Sequence, residues 1–248
     1  MFNLEIKKDD RQWLHANYPT LRTDKDSNEC PKIAGLLKID MVYQEGKPYV
    51  IKPEQEHIAT GRRIQDEYEI DIIFKSSEHS DLPQVYEKGN RIASVAADRK
   101  LRLENLHVNP DGSACLCLNI QENDYLPNGF NLKDFFHILV IPFFYAQSYF
   151  EKYKIWPWGQ YAHGTLGFFE WYLKLHDVTK EKVNEFIGYL SNRYDWQSLQ
   201  TYLAPNKKVK GHHACLCNSS EKFRNCHRDV LHGIWKFKQD LIFHQIQL

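Results

Sequence analysis

Between Tyr68 and Phe74 the chain alternates: Tyr68, Ile70, Ile72 and Phe74 fall on one side, with Glu69 and Asp71 between the first three. A period of two predicts a strand that buries one face. Three further runs predict strands at Ile33–Tyr43, Pro48–Lys52 and Pro83–Lys88, with EGK and EKGN supplying turns. Ahead of them, DDRQWLHANYPTL carries Trp13, Leu14 and Tyr18 at helical spacing and stops at Pro19, which predicts a short amphipathic helix. After the strands comes LENLHVNPDGSACLCLN, whose NPDG core predicts a turn. Helical spacing returns over Leu132–Lys154, with a kink expected at Pro142 because proline cannot donate to the ladder. The aromatic connector IWPWGQYAHG leads to helices expected at Leu166–Leu175 and Thr179–Leu203, the latter with Val183, Phe186, Ile187 and Leu190 on one face. Helix, antiparallel meander, extended loop and then helices is the order of an α+β fold.

The length of 248 residues suits one core domain with an appendage, and 42% hydrophobic residues suffice for a sizeable core. The formal net charge is zero, so no global field draws the chain to nucleic acid or a membrane. Charge is uneven, however: from Ala204 onward eight Lys/Arg face three Asp/Glu, which predicts a boundary near Pro205. The expected organisation is therefore a domain over 1–175, a helical extension over 176–205 and a small tail over 206–248. The opening MFNLEIKKDD lacks the apolar core of a signal peptide, and the most apolar run, Phe135–Ala146, is short for a bilayer span. A cytoplasmic location is expected, where clustered cysteines point to metal or catalysis more than to disulfides.

The string ACLC occurs twice, at Ala114–Cys117 and Ala214–Cys217. The second copy continues as CLCNSSEKFRNCH, so Cys215, Cys217, Cys226 and His227 form a four-ligand set suited to tetrahedral zinc. The segment is otherwise small and polar, so a structural zinc would serve as its staple. His212 and His213 compete with His227 for the fourth position. The string resembles the SEC-C zinc motif at the C-terminus of the bacterial preprotein translocase ATPase, with Leu216, Asn218 and Ser220 standing where proline and glycines are usual. That resemblance implies a docking tail with no chemistry of its own. The basic run Asn206–Lys210 reads as a solvated linker, with an acidic partner or RNA as the sharper alternative.

The first copy has no nearby Cys-His pair. Upstream stand His107, Val108 and Asn109, then a Pro-Asp-Gly turn, then Cys115 and Leu116. This resembles the active-site string of ubiquitin-conjugating enzymes, in which a histidine–proline–asparagine tripeptide runs through a turn to a catalytic cysteine. The order of elements from about Asp10 to Glu170 is similar to that fold as well. Val108 replaces the proline, the gap to the cysteine is shorter, and ENDYLPNGF stands where a tryptophan–proline segment is usual; divergent bacterial relatives depart in similar ways.

The resemblance implies that Cys115 carries an acyl group as a thioester, with thiolate as the nucleophile. It implies that the Asn109 amide donates to the oxyanion, that His107 holds the loop, and that His163 in the connector acts as a general base. The chain has no nucleotide-binding glycine motif, so an adenylating enzyme would act in trans. The cargo would be a ubiquitin-like modifier or a protein's own C-terminus. Bacterial relatives imply a role in antiviral defence, some beside a cyclic-nucleotide synthase that they modify. Two other readings stand beside this one. The first is a non-catalytic binding module of the same fold, recruiting partners through its zinc tail. The second is a thiol redox protein using Cys115 and Cys117. Cys117 reads as a buried small hydrophobe and Cys30 as an incidental thiol. Neither a membrane nor nucleic acid is an expected partner.

Overall fold

The structure is a computed structural model that describes residues 2–54, 61–77, 80–193, 195–217 and 219–248. Packing divides the chain into two units, Met1–Gly159 and Gln160–Leu248. The helix expected at Leu166–Leu175 thus groups with the tail, and not with the segment that precedes it.

In the first unit, α1 (Lys8–Asn17) begins where the Lys7 amide donates to Asp10 at 2.8 Å, and it buries Leu14. The sheet comprises β1 (Leu21–Lys25), β2 (Pro31–Tyr43), β3 (Val50–Ile51), β4 (Arg62–Ile73) and β5 (Gln84–Glu87). All pairings are antiparallel: the path runs β1-β2-β4-β5, and β3 pairs the far end of β2. The period of two holds, since Tyr68, Ile70, Ile72 and Phe74 are all buried. They pack with Ile33, Leu37 and Met41 of β2, whose side chains alternate in the same sense. β4 starts well before Tyr68, because Arg62, Ile64 and Asp66 extend the ladder against Tyr43, Met41 and Ile39. Neither β1 nor α2 (Arg91–Asp98) was expected from the pattern; β1 buries only Leu21, and α2 only Ile92 and Ala96.

Beyond the short α3 (Glu122–Tyr125), the long apolar stretch forms α4 (Leu132–Asp134), a π-helical segment Phe135–Val140 and α5 (Ile141–Tyr153) in direct succession. Apolar almost all round, it runs through the core, with Phe135, Phe136, Val140, Ile141, Phe144 and Tyr145 fully buried. Pro142 sits in the first turn of α5, but α5 continues the preceding segment without a break, so the proline lies inside a longer helix and supplies no N–H to a carbonyl before it. The widened turn precedes it, and Tyr49 donates its hydroxyl to the His137 carbonyl at 3.0 Å. A wide turn, in which each N–H bonds the carbonyl five residues back, accommodates the proline inside this apolar helix. Beyond the apolar part, Ser148 bridges Tyr68 and Asp66, and Asp66 pairs with Arg91 at 2.6 Å.

The second unit is helical: α6 (Thr165–Leu173), α7 (Lys180–Ser191), α8 (Trp196–Leu203), α9 (Phe223–Cys226) and α10 (Arg228–Phe243). The single helix expected over Thr179–Leu203 is two, because the ladder ends at Asn192. Of the predicted face, Val183, Phe186 and Leu190 are buried and Ile187 is partly exposed. Phe186 is the centre of an aromatic cluster, with ring centroids 4.5 Å from Tyr172, 5.0 Å from Phe237 and 5.7 Å from Phe169. The tail holds more apolar structure than its polar string predicts. α10 buries Val230, Leu231, Ile234, Phe237 and Leu241, and Gly233 lets its backbone close on the Phe169 carbonyl, where a Cβ would stand 2.0 Å away.

Candidate functional site

Cys115 lies just past a small hairpin built by the NPDG turn. Val108 pairs with Ala114 across it, the Asn109 amide nitrogen donates to the Ser113 carbonyl at 2.7 Å, and Gly112 takes the left-handed φ of +84°. Asp111 anchors the turn by accepting both the Ser113 amide at 2.9 Å and its hydroxyl at 2.6 Å. The hairpin is tied to the sheet through the Ala114 amide, which donates to the Val85 carbonyl at 2.7 Å.

His107 and Cys115 close the open end, the Cys115 amide donating to the His107 carbonyl at 2.7 Å. His107 is left-handed, with φ of +56°, and sets its ring edge-on against Trp156 at 5.3 Å. The structure therefore brings His107, Asn109 and Cys115 into one loop. The Asn109 side-chain amide donates to Ser113 Oγ at 3.0 Å, within the hairpin. Cys115 is partly exposed, and its Sγ lies 4.0 Å from the Cys117 carbonyl oxygen. The Cys117 thiol packs on the core, where burial, then the charges of Glu122 and Cys115, push its pKa well up. A thiol so placed stays protonated and is a poor nucleophile.

Glu122 is a functional candidate that periodicity did not reveal. It is 5% exposed, and its carboxylate accepts the Asp81 amide at 3.0 Å. Burial raises its pKa. No sequence signal distinguishes it from the other acids of ENDY; its burial comes from the fold. His163 is exposed and belongs to the second unit, immediately before Gly164 and α6.

The four predicted metal ligands converge. A finger folds back on itself as the Cys215 amide donates to the Glu221 carbonyl at 2.7 Å and the Phe223 amide to the His213 carbonyl at 3.0 Å. Phe223, fully buried, anchors the returning arm. Ser220 takes the left-handed φ of +62° that a glycine would favour; Asn218 lies outside the described residues. The ligand atoms of Cys215, Cys217, Cys226 and His227 all lie within 4.8 Å of one another and could hold a metal ion. His227 Nδ1 stands 3.3 Å from Cys215 Sγ and 3.2 Å from Cys226 Sγ, and Cys217 and Cys226 sulfurs are 3.4 Å apart. A tetrahedral ion with sulfur at about 2.3 Å and nitrogen at about 2.0 Å needs edges of about 3.5–3.8 Å. These three edges are within a few tenths of an ångström of that. Without an ion the thiols titrate apart: burial pushes Cys215 up to about 12, whereas for Cys217 contacts with Ser219 and Cys226 overcome burial and lower it to about 6. His213 instead accepts the Lys210 amide at 3.3 Å, and the metal-compatible cluster includes neither it nor His212.

Among the described residues no helix is long and apolar enough to cross a membrane. No protein-family model matches the chain, and no match is found among curated proteins or among solved structures.

Proposed function

We propose that the protein is a ubiquitin-conjugating-like transferase with Cys115 as its acyl carrier and a structural zinc in its tail. The modifier's C-terminal carboxyl would arrive as an acyl adenylate from a separate activating enzyme. The Cys115 thiolate adds to the carbonyl and the nucleotide leaves, giving a thioester; a target amine then adds, and the Cys115 thiolate leaves as the amide forms. A base near neutral pH removes the amine's proton, while Asn109 would donate to the oxyanion and His107 hold the loop. Cys215, Cys217, Cys226 and His227 would bind the zinc, which supplies folding energy and no catalysis.

The observation that carries this reading is the placement of Cys115. Its own amide pins it to His107 at the mouth of a hairpin; both cysteines are partly exposed, but Cys117 packs against the core and burial of its thiol pushes its pKa well up. This asymmetry also weighs against the redox pair, which needs two reachable sulfurs. The second reading, a binding module without transfer activity, is favoured by one observation: the Asn109 amide is engaged by Ser113.

The test is a non-reducing gel of tagged protein expressed with its activating partner, with wild type beside Cys115→Ala and Cys117→Ala. An adduct of a small protein's mass that thiol releases and only Cys115→Ala abolishes is the expected result. No adduct under any condition, in protein that still binds zinc, leaves the binding module.

A further inference from the structure

The second unit carries a concentration of charge that the chain's zero net charge conceals. Between Asn206 and His232 six cations, Lys207, Lys208, Lys210, Lys222, Arg224 and Arg228, face two acids, Glu221 and Asp229. All six are exposed, and among the described residues none of them is paired with a carboxylate. The fold gathers four of them near one exposed indole. Trp235 of α10 is 40% exposed, and its Nε1–H donates to the Val209 carbonyl at 2.8 Å. Val209 is buried, and Lys208 and Lys210 on either side of it stand in solvent. The Arg224 amide donates to the Gly211 carbonyl at 3.0 Å. A Cβ on Gly211 would meet Arg224 Cβ at 3.2 Å and Leu231 Cδ2 at 3.6 Å, which sets both beside the residue that follows Lys210. Arg228, His232 and Trp235 follow one another along a single stripe of α10, the last two with rings 5.3 Å apart. Cations and indole therefore surround one short segment, 208–211.

We propose that this surface binds a single-stranded nucleic acid, with the cations on its phosphates and the Trp235 ring against an unpaired base. Cations that no carboxylate neutralises are free to take up phosphates, and the counterions released from the strand drive the binding. The indole's N–H is spent on Val209, so the ring offers a partner its apolar surface, which suits stacking on any base. A duplex hides its base faces, so the indole selects single strands. Neither contact reads the sugar, so RNA and DNA are bound alike. The surface is independent of Cys115 and adds a recruiting role to either reading of the first unit.

The test uses full-length protein supplied with zinc and a labelled oligouridylate of about 12 nucleotides, read by fluorescence anisotropy between about 50 and 200 mM salt. The logarithm of the affinity should fall with that of the salt concentration by about 0.7 per phosphate contact. The double variant Lys208→Ala, Lys210→Ala should make this slope shallower by about 1.4. Trp235→Ala should weaken binding about 5–150-fold at an unchanged slope, and Trp235→Phe, which keeps a ring without the N–H, should weaken it less. Both lysines are exposed, so their variant should melt as wild type and decides the case if Trp235→Ala does not fold. Oligodeoxythymidylate should bind as oligouridylate does. Absence of binding at the lowest salt overturns the proposal, as does binding that neither set of substitutions changes. An acidic peptide that competes as well as the oligonucleotide, with Trp235→Ala without effect, makes an acidic protein the partner and overturns the nucleic acid.

Discussion

At the scale of the residue, burial decides what a side chain can do. Glu122 illustrates the sign. Its pKa is raised above the ordinary 4.5 by burial, so folding favours the protonated form. The stability it contributes is complete below about pH 4.5 and is lost as pH rises through the folded value. Glu122→Gln can still accept the Asp81 amide and cannot ionise. Its melting temperature is therefore expected to change less between pH 4 and 8 than that of wild type, and to equal or exceed wild type at pH 8. A variant that melts lower at pH 8 than at pH 4, relative to wild type, would show that the charge is needed. Gly233 tests packing in the same way. A Cβ there would meet the Phe169 carbonyl oxygen at 2.0 Å, and main chain on a packed helix cannot retreat cheaply. Gly233→Ala should destabilise the second unit by about 1–3 kcal/mol, measured by denaturant unfolding. A neutral result would mean that the two helices are not held this closely.

At the scale of the element, the sheet was largely legible and the loops were not. β4 announces itself because its alternate residues are apolar. The run from Tyr68 to Phe74 needs no other information, and its partner β2 follows from length and β-branched content. β1 was not legible, since LRTDK is polar and becomes a strand only because β2 offers it an edge. α2 is short and buries two side chains, too few for a period. Within the central helix the pattern located the element and the proline, but not the wide turn. That turn depends on the core surrounding Phe135–Val140, and a hydroxyl from Tyr49, 88 positions away, answers its carbonyl. The metal finger lies at the opposite extreme. Its ligand spacing is local, so sequence alone names the four residues that come together. In the folded finger His227, and neither His212 nor His213, joins the three cysteines, as the ligand spacing predicts.

At the scale of the whole molecule, the units differ in what stabilises them. Met1–Gly159 has a sheet packed against an apolar helix; Gln160–Leu248 has an aromatic cluster around Phe186 and the candidate metal clamp. Metal removal should therefore act on one unit. Chelation is expected to speed amide exchange in α9 and at the start of α10 while leaving β2 and β4 unchanged, read by hydrogen–deuterium exchange. Acid should release the ion as well, because cysteine ligands bind as thiolates and protons compete for them. Exchange that rises equally in both units would show that they unfold as one.

By itself the sequence determined the alternating strands, the apolar helix, the α+β class and the four converging ligands. Each of these is written in near neighbours, at a period of two, at 3.6, or within thirteen residues. Only the tertiary structure decided that Glu122 is hidden, that the Asn109 amide turns inward to Ser113, and that α6 packs with the tail. These depend on what a distant segment places beside a residue, and no local pattern records that. Two identical tetrapeptides therefore have different surroundings: one closes a hairpin against a sheet edge, and the other begins a finger whose far arm returns with Cys226 and His227.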